Sequence, residues 1–408
     1  MRTLALLVLA GVFSTGAAAA PWTFDEPLTL AAQDGRPHYH HLDGSGRRHV
    51  AAGADAVAVA WEDDRDGSPQ VYVAQRRLDA DGFGAHRRVS TGEEAYEPAL
   101  ATLGDGRWLV AWEQDGGAWA RTLDSEGMGE PLMLADSGAR QVTLAVSSGG
   151  RIAAVWARDR AGGQLLEALE LHLEGSALVP LGQPVPVSPV DDHPYQGHPA
   201  AAWAGDDRLV VAWEDRRAGH TRIFATWRDG QGGFAPAGQL NEHNAPPGQD
   251  SGLGSGVMRV ALAADPVTGV VRAIWLDKRN AASGYAVWGA ASRDRGENFG
   301  ANRIVQDEQG ATVAQWHAGL AAAGGRFVAA WDDAREVWSD PDESGDLILS
   351  WHDGEAWSAD LIVPGASGSG YQGAPAVALD PHGGLHLVWL ERDDLTAPTR
   401  LRYLRGHP

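Results

Sequence analysis

The chain has 408 residues, 44% of them apolar, with 54 acidic residues against 33 Lys and Arg and no cysteine. A formal net charge of −21 repels phosphate backbones and anionic lipid, so neither nucleic acid nor membrane insertion is expected. The missing cysteines exclude disulfides, thiolate metal sites and a cysteine nucleophile, leaving a large core to hold the chain together.

Residues 1–20 read as a signal peptide. Arg2 gives a positive start, residues 4–13 form a short apolar run, and Ala17, Ala18, Ala19 and Ala20 are the small residues that cleavage needs. Pro21 is awkward directly after a scissile bond, which places the cut near Ala19. The run is too short to span a bilayer. A secreted or periplasmic location is expected, with residues 21–408 as a single domain.

After a short strand at 27–30 (PLTL), the chain becomes repetitive. An apolar run ending in tryptophan appears at 57–61 (VAVAW) and returns six times, ending at Trp112, Trp156, Trp213, Trp275, Trp331 and Trp389. The spacings are 51, 44, 57, 62, 56 and 58 residues, the mark of a tandem array. Upstream of each run lies a short small-residue strand, such as PALA at 98–101 or PAVA at 375–378. Downstream come a polar loop, a third strand and a turn to a fourth, as at 71–74, 223–226 and 303–305. Short strands between turn signals describe four-stranded antiparallel sheets. Their continuous apolarity means that both faces are covered, as in a propeller blade held between two others. The expected fold is therefore all-β, a seven-bladed β-propeller. The seventh copy has three strands, so the strand at 27–30 is expected to complete it and close the ring.

The segment at 292–299 (SRDRGENF) resembles the Asp box, S-x-D-x-G-x-x-[WF], of sialidase-like BNR-repeat propellers, and 350–357 (SWHDGEAW) is a displaced version. Asp229 with Gly230 and Phe234, and Asp81 with Gly82 and Phe83, are weaker relics. The resemblance implies a structural turn on the face opposite the active one. It does not carry over catalytic residues, because the family's early Arg-Ile-Pro segment is absent and Arg47, Arg48, His49 and Val50 stand in the early copies instead.

A second regularity, Trp-x-Asp-x-Arg, follows the second strand: Trp61/Asp63/Arg65, Trp213/Asp215/Arg217, Trp275/Asp277/Arg279 and Trp331/Asp333/Arg335, with Arg158 and Arg160 in the third copy. Four copies of one pair are more than a catalytic centre needs, so a structural pair is expected. The alternative is a ligand face on which Arg65, Arg160, Arg217, Arg279 and Arg335 hold an acidic or sugar ligand. The blade-to-blade connections break the symmetry and give the remaining binding candidates: Tyr39, His41, Tyr96, Tyr195, His198, Trp316, His317 and Tyr371. Aromatic faces beside hydrogen-bonding groups suit sugar rings. The competing reading of Tyr195 and Tyr371, both in Tyr-Gln-Gly-x-Pro-Ala, is a repeat turn whose tyrosine plugs the channel. Asp340, Asp342 and Asp346 have the alternate spacing that starts a calcium loop, although Trp351 stands where a twelfth-position Glu is required. Ca²⁺ is thus the one cofactor considered. The expected function is a monomeric module that binds a glycan or an envelope protein. A sialidase-type exo-glycosidase and a non-catalytic envelope scaffold are the alternatives, and no residue is marked as catalytic.

Overall fold

The computed structural model describes residues 20–32, 39–42, 48–188, 195–217, 219–230, 232–242, 256–279, 284–308, 310, 313–335, 345–394 and 396–408. These form seven antiparallel sheets, four of four strands and three with a fifth short strand, in sequence order except where N-terminal strands join the last sheet, and no α-helix among the described residues. The first strands, such as Gln196–Ala204 and Tyr371–Leu379, lie innermost and touch the first strands on either side. Their alanines are a packing requirement, because seven strands converge on one axis. Ala99, Ala200 and Ala376 are buried there.

The second strands explain the tryptophans. Trp61, Trp112, Trp156, Trp213, Trp275, Trp331 and Trp389 are all fully buried, at 0% exposure. Each packs against the preceding blade: Trp156 lies with Leu109 and Ala111, and Trp331 with Ile274 and Leu276. The inter-blade interfaces, rather than the sheets themselves, are therefore the cores, which is why both faces of every blade read as apolar. Trp61 does the same across the closure, packing with Ala376, Val388 and Tyr403 of the seventh blade.

Closure occurs as the sequence predicts. Leu28–Ala31 pairs antiparallel with the last strand, Arg400–His407, placing Leu28 opposite Tyr403. A further short strand, Thr23–Phe24, extends the pairing to Gly406 and His407. Beside it Trp22 is buried edge-on against Trp351 at 5.9 Å, and its indole N–H donates to the Gly383 carbonyl at 2.8 Å.

The repeated Asp–Arg pairs order their own loops. Asp215 is buried and accepts from the Trp213 indole (2.9 Å), the Arg217 backbone N–H (2.8 Å) and the Arg217 Nε–H (2.9 Å). Asp63, Asp277 and Asp333 likewise accept an indole, a backbone and a guanidinium N–H, from Trp61 and Arg65, Trp275 and Arg279, and Trp331 and Arg335, the guanidinium donor being Nη2 in Arg279. In the second blade Gln114 takes over from Asp, accepting from Trp112 at 3.1 Å. In the third the carboxylate comes from the neighbouring strand: Glu167 accepts from Trp156 and Arg158, each at 3.2 Å, and also pairs with Arg160. Replacing Arg217, whose side chain is 27% exposed, with Ala is expected to cost about 1–3 kcal/mol by leaving Asp215 short of donors. Chemical denaturation of the two proteins checks this.

Arg335 also meets two further acids, Asp360 at 2.8 Å and Asp307 at 3.8 Å. Burial, reinforced by the charge of Asp307, lifts the Asp360 carboxyl from its ordinary 3.8 to about 6 against the pull of Arg335. A raised carboxyl pKa favours the protonated folded state. Its stabilising share is complete below pH 3.8 and is lost as pH rises through about 6. Asp360→Asn should remove that loss, so its melting temperature relative to the unsubstituted protein should rise between pH 4 and pH 7. Melts across that range test the sign.

Candidate binding site at the channel mouth

The starts of the first strands surround one end of the central channel. In blades two to seven the pairing with the second strand slips at an equivalent point: after Tyr96, Arg140, Gly197, Met258, Trp316 and Gly373. The residue that follows each slip has left-handed backbone: Glu97 (φ 52°), Gln141 (57°), His198 (50°), Arg259 (59°), His317 (50°) and Ala374 (51°). None is glycine, so the conformation carries a cost of about 1–3 kcal/mol at each position. In blade one the pairing also breaks after His41, opposite Glu62, and residues 43–47 beyond Leu42 lie outside the described residues.

Carboxylates hold this strained ring in place. Glu62 accepts the Glu97 N–H (3.3 Å), Glu113 the Gln141 N–H, Glu214 the Arg259 N–H (2.8 Å) and Asp332 the Ala374 N–H (3.2 Å). All four acids stand directly after a second-strand tryptophan in the preceding blade. The third blade has Ala157 there, and the Gln141 side chain substitutes, its Oε1 accepting the His198 N–H at 2.8 Å. Gln141 Nε2 also lies 3.2 Å from His198 Nε2, so Glu113, Gln141 and His198 form one chain across three blades. In blade six Asp332 Oδ1 is 2.8 Å from His317 Nδ1 and orients that imidazole.

The residues predicted from sequence distribute around this ring. Tyr195 and Tyr371 fold back over Gly197 and Gly373; a Cβ on Gly373 would overlap the Tyr371 ring, whereas one on Gly197 would crowd Gln141 Oε1 at 3.0 Å. Arg216 stacks on Tyr195 at 4.3 Å and Arg392 on Tyr371 at 4.7 Å. The Tyr195 hydroxyl and Gln141 Oε1 converge on Gly197, beside His198. Trp316 is 39% exposed and packs on Tyr285 at 5.3 Å. Tyr96 donates to Glu94, a bond that, with burial, raises its hydroxyl to about 12. It lines a hollow of about 350 Å³ with Glu93, Glu94, Glu113 and Asp115. Tyr39 is exposed, its N–H donating to Asp64 at 2.6 Å. His41 is exposed while its neighbour His40 is buried, with Nδ1 3.0 Å from the Thr399 hydroxyl. Arg65, Arg160, Arg217, Arg279 and Arg335 are engaged by the carboxylates described above. Glu62, Glu97, Glu113, Gln141, Glu214, Arg259 and Asp332 are ring members that the sequence reading missed.

Asp340 and Asp342 lie outside the described residues. Asp346 is buried and accepts the Gly368 N–H at 2.9 Å. Among the described residues no three His, Asp or Glu side chains group to hold a metal ion. The turn at 292–299 joins a third strand to a fourth, at the opposite end of the blade from the ring. Asp294 accepts from the Ser292 hydroxyl (2.6 Å) and the Asn298 N–H (2.9 Å). Burial acts to raise its carboxyl, but these bonds outweigh it and hold the group at about 2. Asp294 thus serves its own turn.

No family model and no curated protein sequence matches the chain. Solved structures match it in shape. An ulvan lyase of polysaccharide lyase family PL25 is 10% identical, with a TM-score of 0.58 over 91% of this chain and 94% of that one. The polysaccharide lyase Uly1 is 9% identical, with a TM-score of 0.56 over 93% and 94%. The acylaminoacyl peptidase of Pyrococcus horikoshii is 14% identical, with a TM-score of 0.50 over 89% of this chain and 52% of that one. At such identities the likeness is one of fold, and lyases and a peptidase share it.

Proposed function

We propose that the chain is an exported propeller that binds carbohydrate at the channel mouth. The observation that carries this is the ring of left-handed residues, in which the backbone repeats from blade to blade while the side chains do not. Glu97, Gln141, His198, Arg259 and His317 give one ring an acid, an amide, a guanidinium and two imidazoles. Repeated backbone with unrepeated chemistry is what a single asymmetric ligand demands of a symmetric scaffold. Tyr195 and Trp316 add aromatic faces for the C–H patches of a sugar, and the polar ring offers partners for its hydroxyls. Glu62, Glu97, Glu113, Glu214 and Asp332 outnumber Arg259, which favours a neutral or amino sugar over a polyanion. The ulvan lyases, acting on polysaccharide with the same architecture, support a carbohydrate ligand by analogy of fold.

The test is a glycan array beside glycosidase and lyase assays, repeated with His198→Ala and Tyr195→Ala. Binding should weaken at least about tenfold, or 1.4 kcal/mol, in both variants at unchanged melting temperature. Unaltered binding would remove the mouth from the account, and neither binding nor turnover would leave the scaffold reading. A catalytic reading has one observation in its favour: the carboxylate-oriented imidazole of His317 is a device for moving protons. Turnover that disappears in His317→Ala would establish it.

A further inference from the structure

Below the mouth an arginine side chain crosses the channel. Arg48, just before the innermost strand of blade one (Val50–Ala52), reaches over the axis to blade five, where its Nη2–H donates to the Leu262 carbonyl at 3.0 Å. The Leu100 N–H of blade two donates to the Arg48 carbonyl at 2.7 Å, which fixes the residue at mid-depth. Beyond Arg48, toward the turns between first and second strands, opens a chamber of about 490 Å³ to which every blade contributes. Its walls are apolar, with Val50, Leu100, Trp203, Ala263, Ala322 and Val377 among them. Thr102, Ser147 and Ser148 are the neutral polar side chains on its lining.

Arg48 differs from the arginines of the repeated pairs. Each of those has its carboxylate, whereas none among the described residues faces Arg48, and burial alone pulls its pKa down. In a chain of net charge −21, a guanidinium that no carboxylate among the described residues faces, at the head of an apolar chamber, is an anomaly. Arg48 is half-buried, and a cation partly withdrawn from water gains from an anion delivered with little water of its own. The volume falls within the range of small-molecule sites, and apolar walls with one placed charge are the usual design of such sites.

We infer that this chamber binds a small amphipathic monocarboxylate, its carboxylate on Arg48 and its apolar body along the alanine-rich walls. The site is separate from the carbohydrate site and does not depend on it.

Calorimetric titration of the full chain with octanoate tests the inference, with acetate (charge without body) and octanol (body without charge) as controls. Octanoate should bind saturably in the millimolar range or tighter, change the fluorescence of Trp203, and exceed both controls at least tenfold. Arg48→Met should weaken octanoate at least tenfold and raise the melting temperature of the unliganded protein, since it removes a half-buried cation that no described carboxylate faces. Should that variant fail to fold, Ala322→Phe, which fills the chamber from the blade-six wall and spares Arg48, should also abolish binding. Octanol binding as tightly as octanoate, no saturable octanoate binding, or full binding by both variants would each overturn the inference.

Discussion

Deleting residues 21–32 should lower the melting temperature by on the order of 10 °C, the largest effect expected of any short truncation. The segment supplies the outermost strand of the seventh blade through Leu28–Ala31 and Thr23–Phe24. It also buries Trp22, Leu30 and Ala31. Loss of one buried tryptophan side chain costs about 3–5 kcal/mol, and the backbone ladder with the last strand is lost as well. The strand Arg400–His407 would then be left with a bare edge, so aggregation should accompany the lower melt. Scanning calorimetry with light scattering measures both. A truncated protein that melts like the full chain would contradict closure of the ring by this segment.

Asp215→Ala should destabilise by about 3–5 kcal/mol, more than removal of its partner Arg217. The asymmetry follows from burial. Asp215 is 1% exposed and satisfies three donors at once, and its loss strands the buried Trp213 indole N–H and a backbone N–H together with the guanidinium. Arg217, partly exposed, leaves a carboxylate that still holds two of its donors. Urea denaturation of the two single variants decides the order. If Arg217→Ala costs as much as Asp215→Ala, the carboxylate is not the hub of the loop.

The propeller was legible because its most repeated residue has the strictest task. A tryptophan filling each inter-blade core leaves a mark at every period, and the pairing of Leu28 with Tyr403 follows once seven copies are counted against three strands in the last. The aromatic and imidazole part of the mouth was legible for the opposite reason: Tyr195, His198, Trp316 and His317 are irregular residues in otherwise repeated connections. The rest of the ring was not. Left-handed backbone at a glycine can be suspected from sequence, but Glu97, Gln141 and Arg259 adopt it because a carboxylate of the preceding blade holds the N–H, a contact between residues 28 to 45 apart. Glu167 escaped notice similarly, since it replaces the missing Asp of blade three from another strand. Arg48 gave no signal, because a charge in an ordinary polar stretch does not reveal that it crosses the channel.

The most direct test of the account is where a carbohydrate lies when bound. A crystal structure with the tightest glycan from the array is predicted to show the sugar against Tyr195 and Trp316, within hydrogen-bond distance of His198 or Gln141, at the end of the channel that carries the left-handed ring. Sugar bound at the opposite end, against the turn at 292–299, or on the outer rim of a blade would contradict it.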